Sequence, residues 1–299
     1  MDTKYRPEIS IIIVNYNSGK YLFETISSIY NSPPSPKFEI IVVDNNSSDS
    51  SLDKVIEEFP GIRLIELEKN VGFACANNIG AETAVGEYFL ILNNDTEVES
   101  GSINTLLNEI KNNPSYGIVS PLLLYEDSSP QLNYGNDPGI ISEFITKYFS
   151  KIFFRIRIKF GIETFEKNVD WISGACFMIS SELYRKLEGF DENFFLYYED
   201  SDLGKRIRAL GLKNHVTSKS RIVHFLGKSS SPVFNEILPL VKRGHLHYYK
   251  KHNSALSFCI LKAYLLFRFR LKRAKTLITG NKERSAIFYK TIDSIKNFK

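Results

Sequence analysis

Two groups of polar residues in this chain have the types and spacing for chemistry on a charged ligand. The first is Asn93, Asn94 and Asp95, which follow directly on the apolar run "YFLIL" (Tyr88–Leu92). Successive strand residues point to opposite sides, so Asn93 and Asp95, two apart, can face one ion. Hard divalent cations such as Mg²⁺ or Mn²⁺ take oxygen ligands, commonly one or two carboxylates together with substrate phosphates. Alone, the same three residues also read as ordinary turn chemistry, because Asn and Asp favour loops and caps.

The second group is Glu199, Asp200 and Asp202 in "FFLYYEDSDLGKRIRALG". They open a helical pattern whose predicted core side is Leu203, Ile207 and Leu210. Acids in a first turn suit the helix dipole. The preceding aromatic run, however, offers an apolar pocket, in which a carboxylate is held less acidic and can serve as a general base. Spacing does not choose between cap and base. His224, at the end of "SRIVH", reads on its own as a packed core histidine before a metal ligand. His245, His247 and His252 read as unremarkable members of a basic tail.

The elements that must position these groups show in the hydropathy pattern. "ISIIIV" (Ile9–Val14), "FEIIVV" (Phe38–Val43) and "YFLIL" are short, unbroken apolar runs, the signature of strands buried on both faces of a parallel sheet. "IRLIEL" (Ile62–Leu67) alternates and reads as nearer an edge. Between them lie helical patterns at Tyr21–Ile29, at Leu52–Phe59 after the capping candidates "NSSDS", and at Ile103–Ile110 after "ESGS". Strand–helix alternation predicts an open α/β sheet of βαβ units. Ligands of such sheets bind at the carboxyl ends of the strands. Those ends are Asn15–Tyr16–Asn17, Asp44–Asn45–Asn46 and Asn93–Asn94–Asp95, and together they predict one wall of a pocket. No Walker pattern and no Gly-x-Gly-x-x-Gly follows a strand, which argues against P-loop enzymes and Rossmann dehydrogenases.

The 299 residues are 43% hydrophobic and 24% charged, the balance of a folded globular chain. Cys75, Cys176 and Cys259 are odd in number and form no Cys-x-x-Cys, so neither a disulfide framework nor a thiolate metal site is expected. With no apolar stretch behind the polar start, this predicts a cytoplasmic protein. The net charge of +4 hides an asymmetry: Lys242–Lys299 holds 15 Lys and Arg against two Asp and Glu, and the rest is net negative. Within that tail, the 13 residues from Ala255 to Phe267 are apolar except for Lys262 and some small polar ones. A membrane span needs about 20 apolar residues, so an interfacial amphipathic helix on an anionic membrane is the expectation. A helical subdomain with a solvated basic face is the plainer alternative. "KYFSKIFFRIRIKF" (Lys147–Phe160) interleaves basic and aromatic residues and reads as either a membrane-surface helix or a lid. No nucleic-acid-binding motif is present.

The ordered set "SIIIVNYNSGKYLFETISSI", "IIVVDNNSSDSS", "NVGFACANNIGA", "YFLILNNDTEV", "SGACFMISSELYRKLEGFDENFFLYYEDSDLGKRI" and "VHFLGKSS" resembles glycosyltransferase family 2. These are inverting enzymes of GT-A fold, and the chain is most similar to the rhamnosyltransferase-like branch. The resemblance implies a GT-A domain over residues 1–235 and a basic helical extension over 236–299. Asp44 would hydrogen-bond the base of a dTDP- or UDP-sugar, with Asn15 and Tyr16 beside it and Asn78 near the sugar or diphosphate. "NND" looks like the family's Asp-x-Asp motif with Asn93 in its first acidic place. Asp95 and His224 would then hold Mg²⁺ or Mn²⁺, with Asn93 and Asn94 against the donor. Asp200 would be the base, supported by Glu199 and Asp202, and Ser229 and Ser230 would face the diphosphate or acceptor. The implied reaction moves a sugar, L-rhamnose first, to a saccharide or lipid-linked acceptor for bacterial surface polysaccharide, at the inner face of the membrane. A different dTDP- or UDP-hexose or galactofuranose transferase, a nucleotidyltransferase and a non-catalytic sugar-nucleotide-binding protein are the alternatives.

Overall fold

The computed structural model describes residues 6–143, 166–225 and 234–298. The stretch Lys147–Phe160 and the serines Ser229 and Ser230 lie outside the described residues. The apolar runs form strands β1 (Ile9–Asn15), β2 (Phe38–Asp44) and β4 (Tyr88–Asn93), with β3 (Arg63–Glu66) from the alternating run. Further strands are β5 (Thr96–Val98), β6 (Tyr116–Leu124), β8 (Glu166–Val169), β10 (Cys176–Ser180) and β11 (Lys213–His224). They build one sheet in the order β3–β2–β1–β4–β10–β6–β11–β5, with β8 paired to β11. The short β7 (Tyr134–Gly135) and β9 (Trp171–Ile172) pair with each other outside it, and the short helix α5 (Ser181–Lys186) follows β10 directly. Strands β3, β2, β1 and β4 run parallel, whereas β10 is antiparallel to β4. The alternating run does lie at an edge of the sheet.

Side-chain alternation sends successive residues of each central strand to opposite layers. Ile9, Ile11, Ile13, Val42 and Leu90 pack with Ile26 and Ile29 of helix α1 (Tyr21–Asn31) and Leu106 of α4 (Ser102–Asn112). Ile12, Val43, Phe89 and Ile91 pack on the other face, with Ala74 and Ala81 of α3 (Phe73–Thr83) and with Leu203 and Ile207 of α6 (Glu199–Ala209). Helix α3 lies close to the sheet: a β-carbon on Gly80 would stand 2.7 Å from Ile12 Cγ2.

Two local expectations differ. The "NSSDS" residues do not cap α2 (Asp53–Glu58), whose N-cap Leu52 has no side-chain bond. Ser47 and Ser51 instead bond Asn15, and Asp49 accepts from the Gly19 amide at 2.8 Å. Leu210 falls one residue past α6 and is exposed, because the chain turns away at Gly211 with φ +79°.

Helices α7 (Phe234–His252), α8 (Ala255–Ile278) and α9 (Lys282–Lys296) follow the sheet, and the expected boundary at residue 235 falls in the first turn of α7. They share a core of Leu238, Leu246, Tyr248, Tyr249, Leu261, Leu265, Phe269 and Ile295, into which Phe194 inserts from the loop before α6. Phe194 is fully buried. Phe194→Ala is expected to cost about 3–5 kcal/mol, read as a lower urea midpoint.

Candidate active site

Strand register sets the first part of the site. Asn15 pairs with Asp44 and Val14 with Asn93, so the three polar strand ends stand at one level. There the buried carboxamide of Asn15 is a hub. Its Nδ2 donates to Asp44 Oδ1 at 2.8 Å and to Ser51 Oγ at 2.9 Å, with Ser47 Oγ at 3.1 Å. Its Oδ1 accepts from Ser18 Oγ at 2.6 Å and from Asn94 Nδ2 at 3.0 Å. Asp44 also accepts from the backbone N–H of Ser47 at 2.9 Å and from Ser47 Oγ at 2.6 Å. A carboxylate has about four acceptor positions, so Asp44 keeps little free capacity and is only 4% exposed. Tyr16 is half-buried beside it. The connecting turns use left-handed backbone at Asn17 (φ 49°) and Asn46 (φ 67°), which Asn tolerates better than most residues.

The second part lies where β4 and β11 end. Asn94 turns toward Asn15, while Asn93 and Asp95 turn toward His224. Asp95 Oδ1 and Asn93 Nδ2 each lie 3.3 Å from His224 Nε2. Strand β5 pairs Thr96 with His224, and the Phe225 N–H donates to the Asp95 carbonyl at 2.9 Å, which fixes the two chains together. Gln131 Oε1 stands 2.7 Å from His224 Nδ1. That bond places the ring proton on Nδ1 and turns the Nε2 lone pair toward Asp95.

The third part is Glu199 and Asp200 at the start of α6. Asp200 Oδ1 accepts from the Ser201 N–H at 2.6 Å. Burial pushes the Asp200 carboxyl up to about 6, against the pull of bonds from the Ser201 and Gly174 amides. Burial, and then the charge of Asp200, hold Glu199 well above the usual carboxylate range. Its Oε2 is buried with no hydrogen-bond partner. The two buried carboxyls therefore oppose ionising together, and both are held above the usual carboxylate range. Tyr197 and Tyr198, just before the helix, both have positive φ (67° and 77°). Such backbone costs on the order of 1–3 kcal/mol per residue and clusters at functional sites. The Tyr197 phenol is pushed up by burial and then by Glu199, Asp200 and Asp95. One ring thus feels the carboxylates of both the second and the third parts.

Two residues expected at the site have other duties. Asn78 is spent on protein: its Oδ1 accepts from Tyr184 Oη at 2.7 Å and from the Phe190 N–H at 2.9 Å. Its Nδ2 donates to the Phe190 carbonyl at 2.9 Å and to Glu192 Oε1 at 3.0 Å. That pins α3 to the loop ahead of Asp200 and leaves nothing for a sugar. Asp202 is fully buried and turns to Arg206 at 2.7 Å, Lys251 at 2.7 Å and His252 at 2.6 Å. Burial alone would raise its carboxyl, but His252, Arg206 and Lys251 hold it below the usual value. It ties α6 to α7. His245 and His247 are likewise engaged, His245 stacking on Tyr198 at 4.6 Å between centroids and His247 meeting Asp191 at 3.1 Å. Gln131, Ser47 and Tyr197 were missed in the sequence, because nothing in their spacing points at His224, Asp44 or Asp95. Asn78→Ala strands three buried partners and is expected to cost about 2–4 kcal/mol, seen as a lower thermal midpoint with Asp95 and His224 left in place.

The pattern described as Glycosyl transferase family 2 matches residues 10–187. An N-acetylglucosaminyl-diphospho-decaprenol L-rhamnosyltransferase of Mycobacterium tuberculosis is 25% identical over 241 residues, covering 74% of this chain and 77% of that protein. The low-salt glycan biosynthesis hexosyltransferase Agl10 of Haloferax volcanii is 31% identical over 205 residues, covering 67% of this chain and 62% of the relative. Among solved structures, the mannosyltransferase PcManGT from Pyrobaculum calidifontis, in complex with GDP-Man and Mn²⁺, superposes with a TM-score of 0.58. It is 16% identical and covers 97% of this chain and 86% of that one. GalNAc-T7 with UDP, GalNAc and Mn²⁺ superposes at 0.57 and 19% identity, over 82% of this chain and 50% of that one. With its family match spanning more than half of the sequence and its sheet shared with these enzymes, the chain belongs to glycosyl transferase family 2 and is a glycosyltransferase of GT-A fold.

Proposed function

We propose that the protein transfers a sugar, with inversion, from a nucleoside-diphosphate donor to a hydroxyl of a saccharide or lipid-linked acceptor in bacterial surface-glycan synthesis. The observation that carries this reading is the division of labour at one sheet end: an ionisable Asp200 on one side and the Asp95–His224 pair on the other, with Tyr197 sensing both. The nucleotide lies against Asn15, Tyr16 and Asp44, and Asn93 and Asn94 lie under the diphosphate. The M. tuberculosis relative is an L-rhamnosyltransferase, so L-rhamnose is the first sugar to test, offered as dTDP-rhamnose in keeping with the family resemblance, with other dTDP- and UDP-sugars after it. The enzyme works at the inner face of the membrane, where a lipid-diphosphate acceptor presents its sugar.

The residues present fit a divalent cation. Two ligand atoms at right angles, each about 2.1 Å from one ion, stand about 3.0 Å apart. Asp95 Oδ1 and His224 Nε2 are 3.3 Å apart. Asn93, with its amide turned over, adds a carbonyl oxygen on the same side. Such an ion, Mn²⁺ as in the similar structures or Mg²⁺, would supply neutralising charge for the leaving diphosphate, worth several kcal/mol.

Asp200 accepts the proton of the acceptor hydroxyl as its oxygen bonds to the anomeric carbon. The bond from that carbon to the diphosphate oxygen breaks with its electron pair going to the nucleoside diphosphate. One displacement from the opposite face inverts the centre. Glu199, whose carboxyl burial holds well above the usual carboxylate range, resists placing a second negative charge beside Asp200. General-base help of this kind contributes about 10²–10⁴-fold.

Three outcomes follow in kinetics and binding. Asp200→Asn loses at least about 10²-fold in kcat while donor affinity in a thermal-shift titration is kept; full activity in that variant would sink the assignment. A base that must be ionised works above its pKa, so kcat/KM falls as pH drops through about 6, and the limb is absent from the residual activity of Asp200→Asn. Asp95→Ala weakens donor binding in the presence of Mn²⁺ and leaves metal-free binding unchanged; equal affinity with and without metal in both proteins would remove Asp95 from the metal site.

A further inference from the structure

Helix α8 has two apolar faces, and the fold uses one. Leu261, Leu265 and Phe269 are buried against α7 and α9. Leu256, Ile260, Tyr264, Phe267, Leu271 and Ile278 are exposed, with Leu256 71%, Phe267 63% and Leu271 55% accessible. At about 100° per residue, these six fall within roughly 80° of arc, and the three buried residues lie on the opposite side of the helix. Small Ala263 and Ala274 fill the exposed stripe. It runs the length of a 24-residue helix, about 36 Å at 1.5 Å per residue. A core-facing helix needs one such stripe; a contiguous second one marks an interaction surface.

Charge narrows the partner. Helix α8 contains Lys262, Arg268, Arg270, Lys272, Arg273 and Lys275 and no Asp or Glu. Arg270 borders the stripe on one side and Arg268 and Lys275 on the other, and Arg270 and Lys275 are exposed. An apolar band with cations on both edges matches an anionic bilayer surface, where the band enters the acyl boundary and long basic side chains reach up to the headgroups. A second copy laid along the same stripe would bring two acid-free helices together, like charge against like. No helix among the described residues is long and apolar enough to cross a membrane.

We propose that α8 lies flat in the interface of an anionic bilayer through its exposed stripe, with Leu256, Ile260, Phe267, Leu271 and Ile278 in the acyl boundary. This deepens the membrane location given above by naming the surface that makes the contact. The second apolar face is then held ready by the first, because α7 and α9 fix the roll of α8. Anionic lipid concentrates the enzyme where a lipid-diphosphate acceptor lies. Lys262 is engaged internally, its Nζ donating to the Phe298 carbonyl at 2.7 Å, so the headgroup contacts fall to Arg268, Arg270 and Lys275.

The test is co-sedimentation of the full chain with vesicles of phosphatidylglycerol and phosphatidylcholine, against phosphatidylcholine alone, at low and high salt. The protein is expected to pellet with the anionic vesicles at low salt. The double variant Phe267→Ser/Leu271→Ser should lose roughly tenfold or more in partition. Arg270→Glu/Lys275→Glu should lose the salt-sensitive part of binding. All four side chains project from the fold, so circular dichroism and donor binding stay as in the parent. Failure of the parent to pellet, or equal pelleting of the Ser variant, overturns the proposal. A dimer in light scattering that the Ser variant dissociates, with vesicle binding unchanged, assigns the stripe to a second copy and overturns it as well. Pelleting is read without donor and donor hydrolysis without vesicles, so this proposal and the transferase mechanism fail separately.

Discussion

The donor end of this sheet depends on the side chain of Asn15. It is buried among strand ends whose apolar neighbours exclude water, so each polar atom there must find a protein partner. Asn15 supplies them at once, donating toward Asp44, Ser47 and Ser51 and accepting from Ser18 and Asn94. A carboxylate in its place would repel Asp44, and an alkyl chain would strand five partners. The hub also explains the division at the end of β4. Because Asn94 is drawn toward Asn15, its neighbours Asn93 and Asp95 are left facing His224. One amide therefore fixes both the Asp44 side and the Asp95–His224 side of this sheet end.

The acids at the head of α6 obey the opposite constraint. Burial there is not fully compensated: Asp200 has backbone donors, whereas Glu199 has a buried oxygen without a partner. Two ionised carboxylates side by side in a dry site would repel strongly, which raises both. Asp200 is the member with a backbone N–H donor on its carboxylate, and Glu199 is held well above its usual range by burial and by the charge of Asp200. The left-handed turn at Tyr197 and Tyr198 aims the helix start into the site and stores strain. The stack of His245 on Tyr198 and the insertion of Phe194 into the C-terminal core hold that turn in place.

The parallel half of the sheet was legible in the sequence because strands buried on both faces leave no choice of residue but apolar ones, as in "ISIIIV" and "FEIIVV". Their polar ends were legible for the same reason, since three Asn- and Asp-rich stops after such runs are costly without a use. The partners of those ends were not. Gln131 reaches His224 across 93 positions and Asn78 reaches Phe190 across 112, and periodicity carries no information at that range. Asp202 misled because first-turn acids look alike in one dimension. It follows Asp200 by two residues, about 200° around the helix, and that rotation directs it to α7 instead of the Asp200 side. The "NSSDS" segment misled in the same way: residue type suggested a cap, and contacts of Ser47 with Asn15 and of Asp49 with the Gly19 amide took precedence.

The charge asymmetry of the chain resolves into two physical uses. Basic residues of α7 are turned inward, where Lys251, His247 and His252 meet Asp191 and Asp202 beside the base-bearing helix. Burial alone would raise the Asp191 carboxyl, yet Lys251, His247 and Asn193 hold it well below its usual range. The acidic loop before α6 is thus neutralised by the very segment that packs over it. Helix α8 has no acid of its own, and its exposed cations meet none of those carboxylates. Removing the C-terminal helices would therefore uncover Phe194, leave Asp191 and Asp202 short of cations and loosen the turn that carries Asp200. On this packing the inner side of the basic segment helps to hold the turn that carries Asp200, and its outer side is turned to whatever lies beyond the protein.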